Sequence, residues 1–346
     1  MTTSHRPPLR LAAIGIDHGH VFDHVRGLTA AGAEFVGYCP DSTVPGLVEQ
    51  LARAYPDARP QPRQALLDDP QIDIISICAV PSQRAGLAMQ AMRAGKDTIV
   101  DKPGVTTFEQ LEAVQRTVRE TGRIYSVCFS ERLCVPSAVH AGERVAAGEI
   151  GRVIQTIGLG PHRKGRARPD WFWRMEDVGG ILVDIASHQI DQFLHYTGAA
   201  TAEVQASAVG NFGTPEHPRF EDYGEVLLHA PQGRGYVRVD WFTPDGLPTW
   251  GDGRLTILGT EGYIELRKYI DIAGRSGGNH LFISNRDGTR HIPCEGLPLP
   301  YFAALARDVH ERTETAMSQR HVFEVCRLSL QAQQQARRLG ALEAAA

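Results

Sequence analysis

From Leu9 to about Phe129 short apolar runs rich in β-branched residues alternate with amphipathic stretches. Leu11–Gly15, Glu34–Cys39, Ile72–Cys78, Thr98–Val100 and Ile124–Cys128 read as strands. Between them, helices are predicted up to Ala31, up to Ala94 and over Thr106–Thr121. Strands that are apolar on both faces and separated by helices imply a doubly wound parallel sheet, the α/β architecture of a Rossmann domain. After about residue 150 the period changes to alternation of two, as in Arg152–Gly158, Gly224–His229 and Gly235–Asp240. This predicts an α+β domain with a large, mostly antiparallel sheet, covered by helices on one face and open on the other. Tyr301–Ala316 and His321–Leu339 read as two closing helices. The expected division is residues 1–130 as the α/β domain and 131–346 as the α+β domain.

Composition narrows the class. The chain has 346 residues, 42% hydrophobic and 22% charged, close to the globular average and long enough for two cores. It holds no apolar run approaching a membrane span, and Met1–Arg10 leads into the first strand without a secretory pattern, so a cytoplasmic location and no membrane partner are expected. Cys39, Cys78, Cys128, Cys134, Cys294 and Cys326 form no Cys-x-x-Cys pair and read as reduced thiols. With a net charge of −4 and only one short basic stretch, His162–Arg168, nucleic acid is not expected as a partner. Only four lysines (Lys96, Lys102, Lys164, Lys268) stand among 36 basic residues. Arginine cannot exchange a proton near neutrality and lysine can, so each lysine is informative here.

The first predicted strand runs into Gly15-Ile-Asp17-His18-Gly19-His20, where a Rossmann fingerprint G-x-G-x-x-G belongs. Gly15 fills the first glycine place, Asp17 and His20 the second and third. Two readings stay open: a dinucleotide contact by Gly15, Asp17, His18 and His20, or a polar turn in which Asp17 caps the first helix. Asp41, beyond the second strand, is the candidate for the adenosine ribose. It favours NAD, with NADP left open because Pro40 disturbs the usual strand end.

Asp101-Lys102-Pro103 closes a predicted parallel strand, at the edge where open α/β sheets bind ligands; Lys102 is either a reacting group there or a surface charge. Val178–Gly198 reads as one helix entered through Gly179-Gly180, with Asp184, His188, Asp191 and His195 on a single stripe. The stripe is a solvated face, a ligating pair, or a general base, His188, oriented by Asp184. No third contributor of the His-Glu-x-x-His kind accompanies it, and no metal is assigned. The insert Pro161–Arg174 brings His162, Arg163, Trp171 and Trp173, donors and flat apolar faces suited to a hydroxyl-rich ring, or else it is an exposed basic loop. Asp191 either accepts from a substrate hydroxyl or closes a structural hydrogen bond.

Taken together, the chain resembles the glucose-fructose oxidoreductase / inositol dehydrogenase / MocA family over nearly its whole length. The marks are the strand-glycine turn, Cys78-Ala79-Val-Pro81-Ser, Asp101-Lys-Pro103 where the family has Glu-Lys-Pro, Gly179-Gly followed by Asp184-x-x-x-His188-x-x-Asp191, and Leu255–Glu265. The resemblance implies NAD or NADP as hydride carrier, with Ala79, Pro81, Asp101 and Lys102 beside the nucleotide. It also implies catalysis by Lys102, Asp184 and His188 on sugars, polyols or their keto forms, and a homodimer or homotetramer through the open sheet. The sequence departs from the family at the Asp17-His-Gly-His20 turn and at Asp101, one methylene shorter than Glu. The expected activity is hydride transfer between a sugar, glycoside or cyclitol hydroxyl and the nicotinamide. The alternatives are a redox-neutral bond-cleaving enzyme that retains NAD, and a non-catalytic dinucleotide or sugar sensor.

Overall fold

The computed structural model describes residues 7–165 and 167–340. Met1–Arg6, Arg166 of the basic insert and the Ala-rich end lie outside the described residues. Two compact units are present, Met1–Cys128 with Pro300–Val322, and Phe129–Leu299 with Phe323–Ala346.

In the first unit β1 (Arg10–Ile16), α1 (Val21–Ala30), β2 (Glu34–Tyr38), α2 (Pro45–Ala54), β3 (Arg59–Pro60), α3 (Arg63–Asp68), β4 (Ile74–Cys78), α4 (Pro81–Arg93), β5 (Asp97–Asp101), α5 (Phe108–Thr121) and β6 (Tyr125–Cys128) follow one another. The sheet order is β3-β2-β1-β4-β5-β6, parallel throughout, which places the topological switch point between β1 and β4. β4 and β5 are buried at every position, Ser76, Asp97, Thr98 and Asp101 with their apolar neighbours. α5 shows how local chemistry sets its limits. Thr107 accepts from Gln110 N at 3.2 Å, Gln110 accepts in return from Thr106 N at 2.8 Å, and Gly122 ends the helix at φ 63°. The α2-β3-α3 stretch has no counterpart in the sequence reading, because β3 is only two residues long.

The second unit opens with α6 (Ser130–Leu133), α7 (Pro136–Ala146) and β7 (Val153–Pro161), then a 3₁₀ turn (Asp170–Trp173), α8 (Met175–Val178), α9 (Ile181–Asp184) and α10 (Ala186–Thr197). β8 (Glu203–Gly210), β9 (Tyr223–Ala230), β10 (Gly233–Asp240), β11 (Arg254–Gly259), β12 (Gly262–Arg267), β13 (His280–Asn285) and β14 (Gly288–Pro293) come next. α11 (Tyr301–Glu311) belongs to the first unit, α12 (Gln319–Gln335) follows it, and β15 (Arg337–Arg338) joins the second sheet. That sheet has nine strands in the order β14-β13-β12-β11-β7-β10-β9-β8-β15, antiparallel except at β7/β10 and β8/β15. Val135, Ala138, Tyr196, Ile257, Ile264 and Ile283 build the core between α7, α10 and one sheet face. On the other face Leu227, Leu258 and Tyr263 are exposed.

Two close approaches depend on glycine. A Cβ on Gly27 of α1 would stand 2.3 Å from the Phe302 ring, so the missing side chain is what lets α11 dock on α1. Gly158 and Gly160, two apart on β7, face Gln189 of α10, and a Cβ at either would come within 2.8 Å of that side chain.

Two buried polar contacts carry stability consequences. Asp191 is wholly buried, and its two oxygens take Arg132 Nε at 2.6 Å and Nη2 at 2.7 Å. Removing one partner of such a pair strands a buried charge. Arg132→Met alone should lower the unfolding free energy by about 3–5 kcal/mol in urea titrations, and Arg132→Met with Asp191→Leu should recover most of the loss. Equal stability of the single variant and the parent would remove the structural role assigned to the pair. His24, fully buried against Ser76 Oγ at 3.0 Å, is pushed by desolvation from the usual 6.5 to about 3. The unfolded chain therefore binds a proton that the folded chain refuses. The stability from neutral His24 is complete above the unfolded value and is lost as pH falls from there towards 3, at a limiting slope of ~1.4 kcal/mol per pH unit. Unfolding free energies measured across this window should be less steep in pH for His24→Leu than for the parent, by up to that slope; parallel profiles would contradict the assignment.

Candidate active site

In the first unit the candidate residues gather at the carboxyl ends of β1, β4 and β5. Gly15 closes β1 at φ 64°, and a Cβ there would meet Ala79 Cβ at 2.5 Å, so the tight first-glycine turn is retained. Asp17 does not cap α1: the N-cap position is His20, which makes no side-chain cap bond. Asp17 Oδ1 accepts instead from Thr43 N at 2.6 Å, Thr43 Oγ1 at 2.7 Å and Ser42 Oγ at 3.1 Å, and Oδ2 from Val80 N at 3.3 Å. The carboxylate ties the loop after β2 and the loop after β4 to the end of β1. The physical reason is supply of donors: these loop N–H and O–H groups lie at the sheet edge, whereas α1 begins only at Val21.

His18 and His20 turn toward Asp101. His20 Nδ1 lies 2.8 Å from Oδ1 and His18 Nδ1 3.3 Å from Oδ2, with the two imidazoles edge to face at 4.2 Å. Arg84, itself 2% exposed, brings Nη2 to 2.9 Å from Asp101 Oδ2, donates from Nε to Ala79 O at 2.7 Å, and donates from Nη1 to Lys102 O. Burial opposes the charge on Asp101, but Arg84, His20 and His18 outweigh it and hold the carboxyl well below the usual range. Desolvation, with His20 beside it, pushes the His18 imidazole well below its usual value. Lys102 is buried, and its peptide bond to Pro103 is cis. Pro81 opens α4 at its first turn, and Asp41 stands exposed beyond β2.

These residues suit a dinucleotide. The switch point, the Gly15 turn against Ala79, and the open space beside Gly19, where an added Cβ would meet nothing within 4 Å, leave the turn approachable. Asp17, in the second glycine place, is 5% exposed with its carboxylate drawn to the neighbouring loops.

In the second unit the predicted single helix is two. α9 ends at Asp184, Ile185 interrupts, and α10 starts at Ala186. The Ser187 hydroxyl takes the Asp184 carbonyl at 3.1 Å and His188 N bonds back to Ile185 O at 3.1 Å, which breaks the regular ladder. Gly180, at φ 94° against the Gln333 side chain, enters α9, whose first N–H groups donate to Glu221 and Gln333. The stripe does not share one environment. His188 and Asp191 are buried, Asp184 is half-buried, and His195 is exposed. Asp191 holds Arg132, which accords with the structural reading of it.

The insert is fastened rather than loose. Arg163 donates to Pro244 O at 3.0 Å and to Leu247 O, Lys164 to Thr214 Oγ1 at 3.0 Å, and Arg168 stacks on Phe172 at 4.6 Å. His162 meets Trp250 at 4.6 Å, Trp173 stacks on His217 at 4.1 Å, and Trp171 is buried. Asp184 lines a small cavity with Phe172, Phe220 and Trp241.

Sequence reasoning passed over a buried network beside His188. Lys268 Nζ donates to Glu131 Oε2 at 2.7 Å and to Gln192 Oε1 at 2.8 Å, and Gln189 Nε2 donates to the same Glu131 oxygen at 3.0 Å. Burial opposes ionisation of Glu131, yet Lys268, His188 and His162 hold it down at about 2. The scarcity of lysine that singled out Lys102 applied equally to Lys268. Arg84 carried no comparable signal.

Residues 46–129 match the oxidoreductase family with an NAD-binding Rossmann fold, and residues 139–265 match the GFO/IDH/MocA C-terminal domain. Scyllo-inositol 2-dehydrogenase (NAD(+)) of Bacillus subtilis (strain 168) is 28% identical over 313 residues, 87% of this chain and 86% of its own. The crystal structure of levoglucosan dehydrogenase with NADH superposes with a TM-score of 0.76 at 19% identity, over 95% of this chain and 98% of its own, a likeness of fold. A protein of Erwinia carotovora atroseptica SCRI1043, named as a candidate oxidoreductase, is 46% identical over 96% of this chain and 100% of its own, with a TM-score of 0.92. Matched at both its nucleotide-binding and its C-terminal portions, the chain belongs to the Gfo/Idh/MocA family of NAD-binding oxidoreductases.

Proposed function

We propose that the protein transfers a hydride between NAD and a secondary hydroxyl of a sugar, glycoside or cyclitol, the keto form being the substrate in reverse. The observation that carries this reading is Lys102, a buried lysine at the carboxyl end of a Rossmann strand in a chain that otherwise uses arginine. Support for the substrate class comes from the cyclitol named for the B. subtilis relative. Gly15, Asp17, His18, His20, Asp41, Ala79, Pro81, Asp101 and Lys102 are the proposed nucleotide-side residues, with Asp41 on the ribose favouring NAD over NADP. His162, Arg163, Trp171, Trp173, His188 and Asp191 are the proposed substrate-side residues. Of these, Asp191 acts through Arg132, since both its oxygens are engaged.

NAD, when bound, would supply the hydride acceptor for the carbinol carbon. Lys102 donates a hydrogen bond to the reacting oxygen and stabilises its alkoxide character, and His188 takes the hydroxyl proton. Asp184 orients the His188 imidazole. Glu131 lends negative charge to the buried surroundings of His188, which favours the imidazolium formed in the step. The proton and the hydride leave the substrate by separate routes, so oxidation is balanced by NADH formation.

The test is purification with analysis of any dinucleotide carried through, followed by NADH absorbance across a panel of sugars and cyclitols with NAD and NADP. Turnover with NADH formation is expected. Bond cleavage without net NADH, or stable ligand binding without turnover, would replace this reading. Lys102→Met should lower turnover by roughly 10²–10⁴-fold while NAD still binds, as followed by NADH fluorescence; unchanged turnover would remove Lys102 from the chemistry.

We further read the protein as a cytoplasmic homo-oligomer, a dimer or tetramer built through the open face of the nine-stranded sheet. The six cysteines, scattered without a Cys-x-x-Cys pair, support a reducing compartment. The exposed Leu258 and Tyr263, paired across β11 and β12, and Leu227 on β9 of the same sheet support the interface. Leu227→Glu should shift the mass measured by light scattering to that of a smaller assembly; an unchanged mass would place the interface elsewhere.

A further inference from the structure

We propose that the turn between β1 and α1 and the end of β5 form a site for one divalent transition-metal ion, bound by His18 Nδ1, His20 Nδ1 and the Asp101 carboxylate. The inference goes beyond hydride transfer and needs only the first unit.

The three ligand atoms lie within 4.8 Å of one another. Nitrogen and oxygen donors sit ~2.0–2.2 Å from such an ion, so two of them are separated by about 2.9 Å at a right angle and about 3.4 Å at a tetrahedral angle. The 2.8 Å from His20 to Asp101 Oδ1 and the 3.3 Å from His18 to Asp101 Oδ2 fall in this range, each histidine on its own oxygen, so the carboxylate would bind through both.

A second observation points the same way. Asp101 is 1% exposed, yet its Oδ2 accepts no hydrogen bond among the described residues, because Arg84 Nη2, 2.9 Å away, approaches off the hydrogen-bonding direction. Facing that oxygen at 3.3 Å is His18 Nδ1, whose acceptance of the His20 backbone N–H is long, 3.4 Å, and would give way to an ion bound at that nitrogen. A buried carboxylate oxygen without a hydrogen-bond donor, faced by an imidazole nitrogen, offers a cation two ligand atoms.

The surroundings are those of a ligand set held from behind. Arg84 steadies the carboxylate and is itself anchored on Ala79 O and Lys102 O. The His18 and His20 side chains are 33% and 28% exposed, which gives the ion access from solvent and leaves coordination positions for water or a ligand oxygen. Two imidazoles and one carboxylate favour Zn²⁺, Co²⁺, Ni²⁺ or Fe²⁺ over Mg²⁺ and Ca²⁺. Arg84 already neutralises Asp101, so binding is expected to be moderate, and an anionic oxygen ligand suits the open positions.

The test uses the full-length protein stripped with chelator, titrated with Co²⁺ by visible absorption and with Zn²⁺ by equilibrium dialysis and elemental analysis. One ion per chain is expected. His18→Gln and His20→Gln should each weaken binding on the order of 100-fold or more, since loss even of an outer-shell partner costs about 10–100-fold. His280→Gln, at the separate His280–His291 pair, should leave it unchanged. Absence of stoichiometric binding in the parent, or binding that survives in both turn variants, overturns the proposal. Should a variant fail to fold by circular dichroism, zinc-edge X-ray absorption of the parent and the His280→Gln protein decides: scattering from two imidazoles supports the site, and its absence rejects it.

Discussion

A carboxylate carried out of water at the end of a buried strand stays ionised only if positive charge is brought to it. At the end of β5 this requirement organises the nucleotide-side edge of the first unit. Asp101 draws the Arg84 guanidinium from α4, and the turn after β1 sets two imidazoles against its oxygens. Arg84, thus fixed, reaches the carbonyls of Ala79 and Lys102 and sets the backbone that follows β4 and β5. The altered glycine turn and the altered Glu-Lys-Pro motif are therefore one departure. Histidines replace the open turn, and a shorter acid receives them.

Asp17 solves a second part of the same problem. The place of the second fingerprint glycine normally stays empty so that a phosphate can approach the backbone. Here it holds a side chain, but one turned into Thr43, Ser42 and Val80. The turn keeps its polarity while its outer side at Gly19 stays clear.

The second unit manages buried charge by pairing. Arg132 and Asp191 satisfy each other through two short bonds, and Glu131 and Lys268 meet with Gln189 and Gln192 as further partners. His188 lies buried on the helix that supplies Gln189, Asp191 and Gln192, so the proposed base is held by a rigid, fully packed element. The glycines of β7 allow that helix to approach the sheet closely.

Much of this was legible in the chain. Strands buried on both faces must be apolar throughout and half-buried strands must alternate, so the parallel and the antiparallel sheets were both readable from period alone. So was the placement of Gly15 and of Asp101-Lys102 at strand ends, because a strand end is a local property. The continuous helix over Val178–Gly198 was misread, since the Ser187 hydroxyl competes for the Asp184 carbonyl and periodicity does not register that competition. The return of residues 300–322 to the first unit rests on a missing side chain at Gly27 that makes room for Phe302. The sequence by itself determined which segments become strands and helices and which chemical groups stand at their ends. Only the tertiary structure decided which charge answers which. The partners His20 and Asp101, Arg132 and Asp191, and Glu131 and Lys268 lie 81, 59 and 137 residues apart. A buried charge takes whatever counter-charge the packing brings within hydrogen-bonding distance, and that choice leaves no periodic trace along the chain.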